Sequence, residues 1–127
     1  MKLHHPPVTR ADDRGQIIDI MVKENIEYVT LITSAAGTTR GNHYHKETVQ
    51  SVYVLNGRIE MLTRIPGEPV VSTVLLPGDL ATTDRMEQHS MHALEDSSFM
   101  VFTTGVRGGE DYEKDTYRLD EPLSDAR

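Results

Sequence analysis

Short runs of alternating apolar and polar residues, each cut off by a turn signal, constrain this chain more than any other feature of it. Residues two apart share one face of a strand, and no window of a dozen residues carries the i, i+3, i+4, i+7 stripe of an amphipathic helix. Candidate strands cover Gln16–Val22, Ile26–Thr33, His43–His45, Val49–Leu55, Arg58–Arg64, Val70–Leu76, Leu80–Thr83, His89–Leu94 and Ser98–Thr104. Asn56-Gly57 is a strong hairpin signal, because a type I′ turn needs positive φ at both central residues; it predicts a hairpin over Val49–Arg64. Pro66-Gly67-Glu68-Pro69, Pro77-Gly78-Asp79 and Glu95-Asp96-Ser97 break the chain again. Many short antiparallel strands at this spacing imply an all-β sandwich or barrel.

The 127 residues suffice for one domain, with residues 1–14 reading as an N-terminal segment and residues 105–127 as a polar C-terminal arm. The longest apolar stretches, such as Val70–Leu76, are far shorter than the ~20 residues of a membrane span. Met1-Lys2-Leu3-His4-His5-Pro6-Pro7 lacks the apolar core of a secretory signal, which makes the cytoplasm the expected address. A net charge of −7 disfavours nucleic acid and anionic membranes as partners, since both call for a basic surface. With no cysteine present, disulfide scaffolds and thiol chemistry drop out, and any metal falls to His, carboxylate or amide ligands.

His43-Tyr44-His45 is the most informative tripeptide, because side chains at i and i+2 of a strand converge on one side and two imidazoles make half a metal site. Gln50, at the start of the next candidate strand, offers a further ligand, and His89 or His92 another. His92 lies three residues past His89 and so faces away from it on a regular strand; Tyr44 and Tyr53 likewise alternate to the outer face. His4 and His5 read as solvated residues of a terminal segment.

The spacing G-x5-H-x-H-x4-Q-x6-G, from Gly37 through His43, His45 and Gln50 to Gly57, resembles the first motif of the cupin superfamily, with Gln50 where Glu is usual. The second cupin motif is matched more loosely by Gly78, Asp84 in place of Pro, Met86 in place of Gly, His89 at a ligand position and Ala93 in place of Asn. The resemblance spans Gly37 to Ala93 and implies a single-domain jelly-roll barrel whose mouth holds a metal site of His43, His45, Gln50 and His89. A neutral amide in place of a carboxylate leaves the charge of a divalent ion uncompensated, which favours imidazole-friendly Zn²⁺, Ni²⁺ or Fe²⁺ over Mn²⁺.

A narrower resemblance covers Arg40-Gly41-Asn42-His43-Tyr44-His45-Lys46, Gln50 and Asn56-Gly57, which are similar to the matching run of cupins acting on nucleotide sugars, notably dTDP-sugar 3,4-ketoisomerases. That likeness implies metal-free proton transfer by His43 and His45 as acid and base, with Arg40 pairing a diphosphate. Asp111-Tyr112 and Asp115-Thr116-Tyr117-Arg118, in the tail from Gly105 to Leu119, are similar to small sugar-related cupins. Three function classes follow. One is a metal-loaded cupin, an oxygenase or isomerase, working on a small and sugar-related molecule; the second is a metal-independent nucleotide-sugar isomerase or epimerase; the third is a non-catalytic module binding a small ligand. Edge strands in so small a barrel also predict a homodimer, joined through Gln16–Val22 or through the arm after Gly105.

Overall fold

Alternation puts Val52 and Val54 on one side of a strand and Met91 and Ala93 on one side of another, and each such face needs a second apolar face to cover it. In the computed structural model, which describes residues 1–105 and 113–127, two five-stranded sheets supply those faces. Asp111 and Tyr112 of the sugar-cupin-like tail lie outside the described residues.

The strands are β1 (Lys2–His4), β2 (Arg10–Asp12), β3 (Gly15–Ile17), β4 (Tyr28–Ser34), β5 (Thr39–Tyr44), β6 (Val49–Asn56), β7 (Ile59–Arg64), β8 (Val71–Leu75), β9 (Leu80–Thr83), β10 (Gln88–Ala93), β11 (Ser97–Thr104) and β12 (Tyr117–Arg118). One short helix, α1 (Leu123–Ala126), follows. The first sheet runs β1-β9-β6-β11-β4 and the second β12-β5-β10-β7-β8, with all their pairings antiparallel. From β4 to β11, successive strands switch sheets except at the β7–β8 hairpin, which gives a jelly-roll sandwich. Its core joins Val52, Val54, Ala81, Phe99 and Val101 of the first sheet to Ile59, Met61, Leu75 and Met91 of the second.

Two sequence expectations fail here for identifiable reasons. Val49–Arg64 is not a hairpin: β6 belongs to the first sheet and β7 to the second, so Asn56-Gly57 is a corner between layers. Of the two turn residues only Gly57 has positive φ, at 88°, so the type I′ geometry is absent. A side chain at Gly57 would meet Ser97 Oγ at 2.2 Å and the Asp96 carbonyl at 2.5 Å, and that close packing is what the glycine permits. The strand expected over Gln16–Val22 stops at Ile17. Thr9 ends it: its hydroxyl takes the Asp19 backbone N–H (3.0 Å) and donates to the Asp19 carboxylate (3.1 Å), so side-chain bonds replace a strand ladder.

The segment after residue 112 packs on the sandwich. β12 pairs with β5, Asp115 and Leu123 are buried, and α1 lies against β7. The Asn42 side chain accepts the Leu123 N–H at 2.9 Å and fastens this segment to the second sheet.

Candidate active site

One end of the sandwich interior is polar. His89 on β10 pairs with His43 on β5 and with Thr63 on β7, while in the facing sheet Gln50 on β6 pairs with Thr83 on β9 and Thr103 on β11. Directly opposed residues share a face, so these side chains all lie on the inner side, and every one of them is buried. His45 follows β5 by one residue and is also buried.

The three imidazoles form a compact cluster. His43 stands 4.8 Å from His45 and 4.7 Å from His89 between ring centroids, and His45 stands 5.2 Å from His89. One ligand atom from each ring lies within 4.8 Å of the others. Two nitrogens held about 2.1 Å from one tetrahedral ion stand about 3.4 Å apart, so closing this set on a metal takes a contraction of up to about 1.4 Å, which side-chain rotations can supply. Three imidazoles, with the Gln50 oxygen as a fourth donor, fit an imidazole-friendly ion by chemistry as well.

Backbone carbonyls orient two of the rings. His45 Nδ1 lies 2.7 Å from the Asp115 carbonyl oxygen, and His89 Nδ1 lies 3.3 Å from that of Glu87. A carbonyl only accepts, so each Nδ1 carries the hydrogen and each neutral ring keeps its lone pair on Nε2. Such a lone pair serves equally as a proton acceptor or as a metal ligand.

Asp115 is the contributor whose role sequence reasoning missed. Its carboxylate accepts three successive backbone N–H groups, from Lys46 (3.0 Å), Glu47 (2.9 Å) and Thr48 (2.8 Å), while its carbonyl holds His45. Burial pushes the Asp115 carboxyl up, but hydrogen bonds from the Glu47, Lys46 and Thr48 backbone outweigh it and hold the group below its ordinary value. The loop between the His pair and Gln50 is thus clamped by a residue about seventy positions away. Only the tail's resemblance to sugar-related cupins hinted at it.

The other candidates separate cleanly. Positive φ at Gly41 (97°) and Asn42 (56°) accompanies a bulge in the β5–β10 register, which sets Arg40 opposite Met91, a core residue. Arg40 then reaches across the open edge to β4, donating through Nε to Ser34 Oγ (2.9 Å) and through Nη2 to the Thr33 carbonyl (3.0 Å). His92 faces outward, as its parity requires, and its Nδ1 lies 2.7 Å from Thr39 Oγ1. Tyr44 stacks on Tyr117 at 5.4 Å, away from the cluster, and Tyr53 is half-buried opposite Met100 and Leu80. His4 and His5 are exposed, and His5 contacts Asp79.

Residues 10–117 match the family model described as the polysaccharide biosynthesis C-terminal domain. No curated protein matches the chain. Among solved structures, a double mutant of the 3,4-ketoisomerase from Thermoanaerobacterium thermosaccharolyticum, in complex with TDP, superposes with a TM-score of 0.76 and 26% identity, over 93% of this chain and 86% of that one. Another mutant of that enzyme, in complex with TDP-4-keto-6-deoxyglucose, gives 0.76 and 23% over 98% and 92%. The dTDP-4-dehydrorhamnose 3,5-epimerase of Sulfolobus tokodaii gives 0.76 and 22% over 92% and 75%. These likenesses establish the cupin jelly roll as the fold of the chain.

Proposed function

The chain belongs to the polysaccharide biosynthesis C-terminal domain family, and from that membership we propose that it is a nucleotide-sugar isomerase or epimerase working by proton transfer. The observation that carries this reading is the His45 ring, buried beside His43 with its Nδ1–H donated to the Asp115 carbonyl, the tautomer in which Nε2 is the basic nitrogen. The likeness to 3,4-ketoisomerase and 3,5-epimerase structures supports the substrate class. It also moves the acid–base reading ahead of a resident metal.

For a ketoisomerisation, His45 takes the proton from the carbon that bears a hydroxyl next to the carbonyl. The C–H electron pair becomes a carbon–carbon double bond and the carbonyl π pair moves to oxygen, giving an enediolate. Transfer of the hydroxyl proton to that oxygen, and return of a proton from the histidine pair to the former carbonyl carbon, leaves carbonyl and hydroxyl exchanged with all atoms and charges balanced. Arg40 is the proposed diphosphate contact: Nε and Nη2 hold β4, and the exposed remainder of its guanidinium faces the open edge.

The compact His43, His45 and His89 cluster favours a second reading, in which Zn²⁺, Ni²⁺ or Fe²⁺ binds there with Gln50 and supplies Lewis acidity. A solvent-deuterium assay on TDP-4-keto-6-deoxyglucose, with and without chelator, separates the two. Exchange that survives metal removal and falls 10²–10⁴-fold in His45→Asn is expected. Exchange abolished by chelator and restored by one equivalent of metal would transfer the role to the ion.

Assembly as a homodimer is also proposed. The β2–β3 pair joins neither large sheet and is exposed along both strands, and a lone two-stranded ribbon is marginal in water unless something packs on it. Light scattering at tens of micromolar that returned the mass of one chain would refute this.

A further inference from the structure

The Gln50 amide is 1% exposed on the inner face of β6, at the histidine end of the sandwich. Among the described residues neither its Nε2 nor its Oε1 has a hydrogen-bond partner. Native proteins rarely leave a buried polar side chain in this state, because an unmade bond forfeits the desolvation of its group without return. Its flanking inner-face neighbours, Thr83 and Thr103, leave the amide unbonded: Thr83 Oγ1 lies 3.5 Å from the Gln50 main-chain oxygen instead. The amide is therefore poised for something that enters the site.

An amide has fixed polarity, with a nitrogen that only donates and an oxygen that only accepts. Its complement is a pair of adjacent groups, one accepting and one donating. We propose that Gln50 is the residue by which this site selects an α-hydroxyketone, its Nε2 donating to the carbonyl oxygen and its Oε1 accepting from the neighbouring hydroxyl. The inference rests on the isomerase reading and deepens it. As His45 removes the proton, negative charge gathers on the carbonyl oxygen, and the bond from Nε2 strengthens there while Oε1 still holds the hydroxyl. An ionised carboxylate here would accept from the hydroxyl but repel the enediolate. A protonated one would again offer one donor and one acceptor.

That difference supplies the test. Parent, Gln50→Glu and Gln50→Leu are compared for deuterium incorporation into TDP-4-keto-6-deoxyglucose from pH 5 to 9, in the presence of chelator and of added metal, with folding checked by circular dichroism. Gln50→Glu is expected to lose 10²–10³-fold in kcat at neutral pH, about the effect of removing one oxyanion donor. Its rate relative to parent at the same pH should then rise with acidification until the glutamic acid is protonated. Gln50→Leu, which avoids burying a charge, should lose as much without recovering. Parent-like rates in both variants, or a loss in Gln50→Glu that acid does not repair, overturn the role of Gln50 and leave the isomerase reading standing. No exchange by the parent under any condition overturns that reading and this inference with it.

Discussion

The two ends of the sandwich interior are built on the same strands and differ in what they can withstand. At one end Val52, Val54, Ile59, Met61, Leu75, Phe99 and Val101 close an apolar core. Two residues further along β6, β7, β10 and β11, Gln50, Thr63, His89 and Thr103 take over the inner positions, and the apolar packing gives way to polar groups. Stability concentrates in the apolar layer, while the polar layer gives up some of it by placing hydrogen-bonding groups where apolar side chains would pack.

The largest effect expected from this division comes from the apolar end. Phe99→Ala removes a side chain that is 1% exposed and should destabilise the fold by about 4 kcal/mol in urea unfolding, while the kcat of the remaining folded molecules and its pH profile stay those of the parent. A shifted pH profile would show that the layers are mechanically one.

Asp115→Asn should cost about 2 kcal/mol at neutral pH, since an amide NH₂ then faces one of the three backbone N–H donors. The folded carboxyl titrates below its ordinary value, so its stabilisation is fully present above the unfolded value of about 3.9 and disappears as pH falls through the lower folded one. Urea midpoints of parent and variant should accordingly stand at a constant full separation from about pH 5 upward and converge only as pH falls below the unfolded value. A gap that persists undiminished into that acid range would mean that the clamp acts without its charge.

The smallest effect should come from the turn before β10, where Met86 holds φ at 67° while 43% exposed. Met86→Gly relieves that left-handed strain and should gain about 0.5 kcal/mol, read as a small rise in Tm. A loss would indicate that the Met86 side chain packs on the site rim.

Much of this was legible in the residues. Alternation located the strands from β4 to β11 to within a few residues, and His43-x-His45 announced an inward-facing pair because the i, i+2 rule survives at the very end of β5. His89 needed the second cupin motif, since nothing local marks a histidine that will face His43 across a sheet. Asn56-Gly57 misled because a hairpin turn and a corner between sheets both ask for a glycine, and which strand pairs with which is settled only in three dimensions. β1, β2 and β12, of two or three residues each, are too short for a period-2 signal. Asp115 escaped because it orients His45 through a main-chain carbonyl, a group every residue carries.

The switching of successive strands between layers also bears on how the chain reaches this structure. β6 must find β9 and β11, and β5 must find β10, before either sheet gains a partner face; among the large-sheet pairings only β7 with β8 closes a short loop. Loop closure over such separations loses chain entropy well before any burial offsets it. Folding should therefore proceed on the millisecond-to-second scale of all-β domains rather than the microseconds open to a helical bundle of this length. During that interval, unpaired apolar strands such as β11 are exposed to neighbouring chains, so yield on refolding will depend on protein concentration.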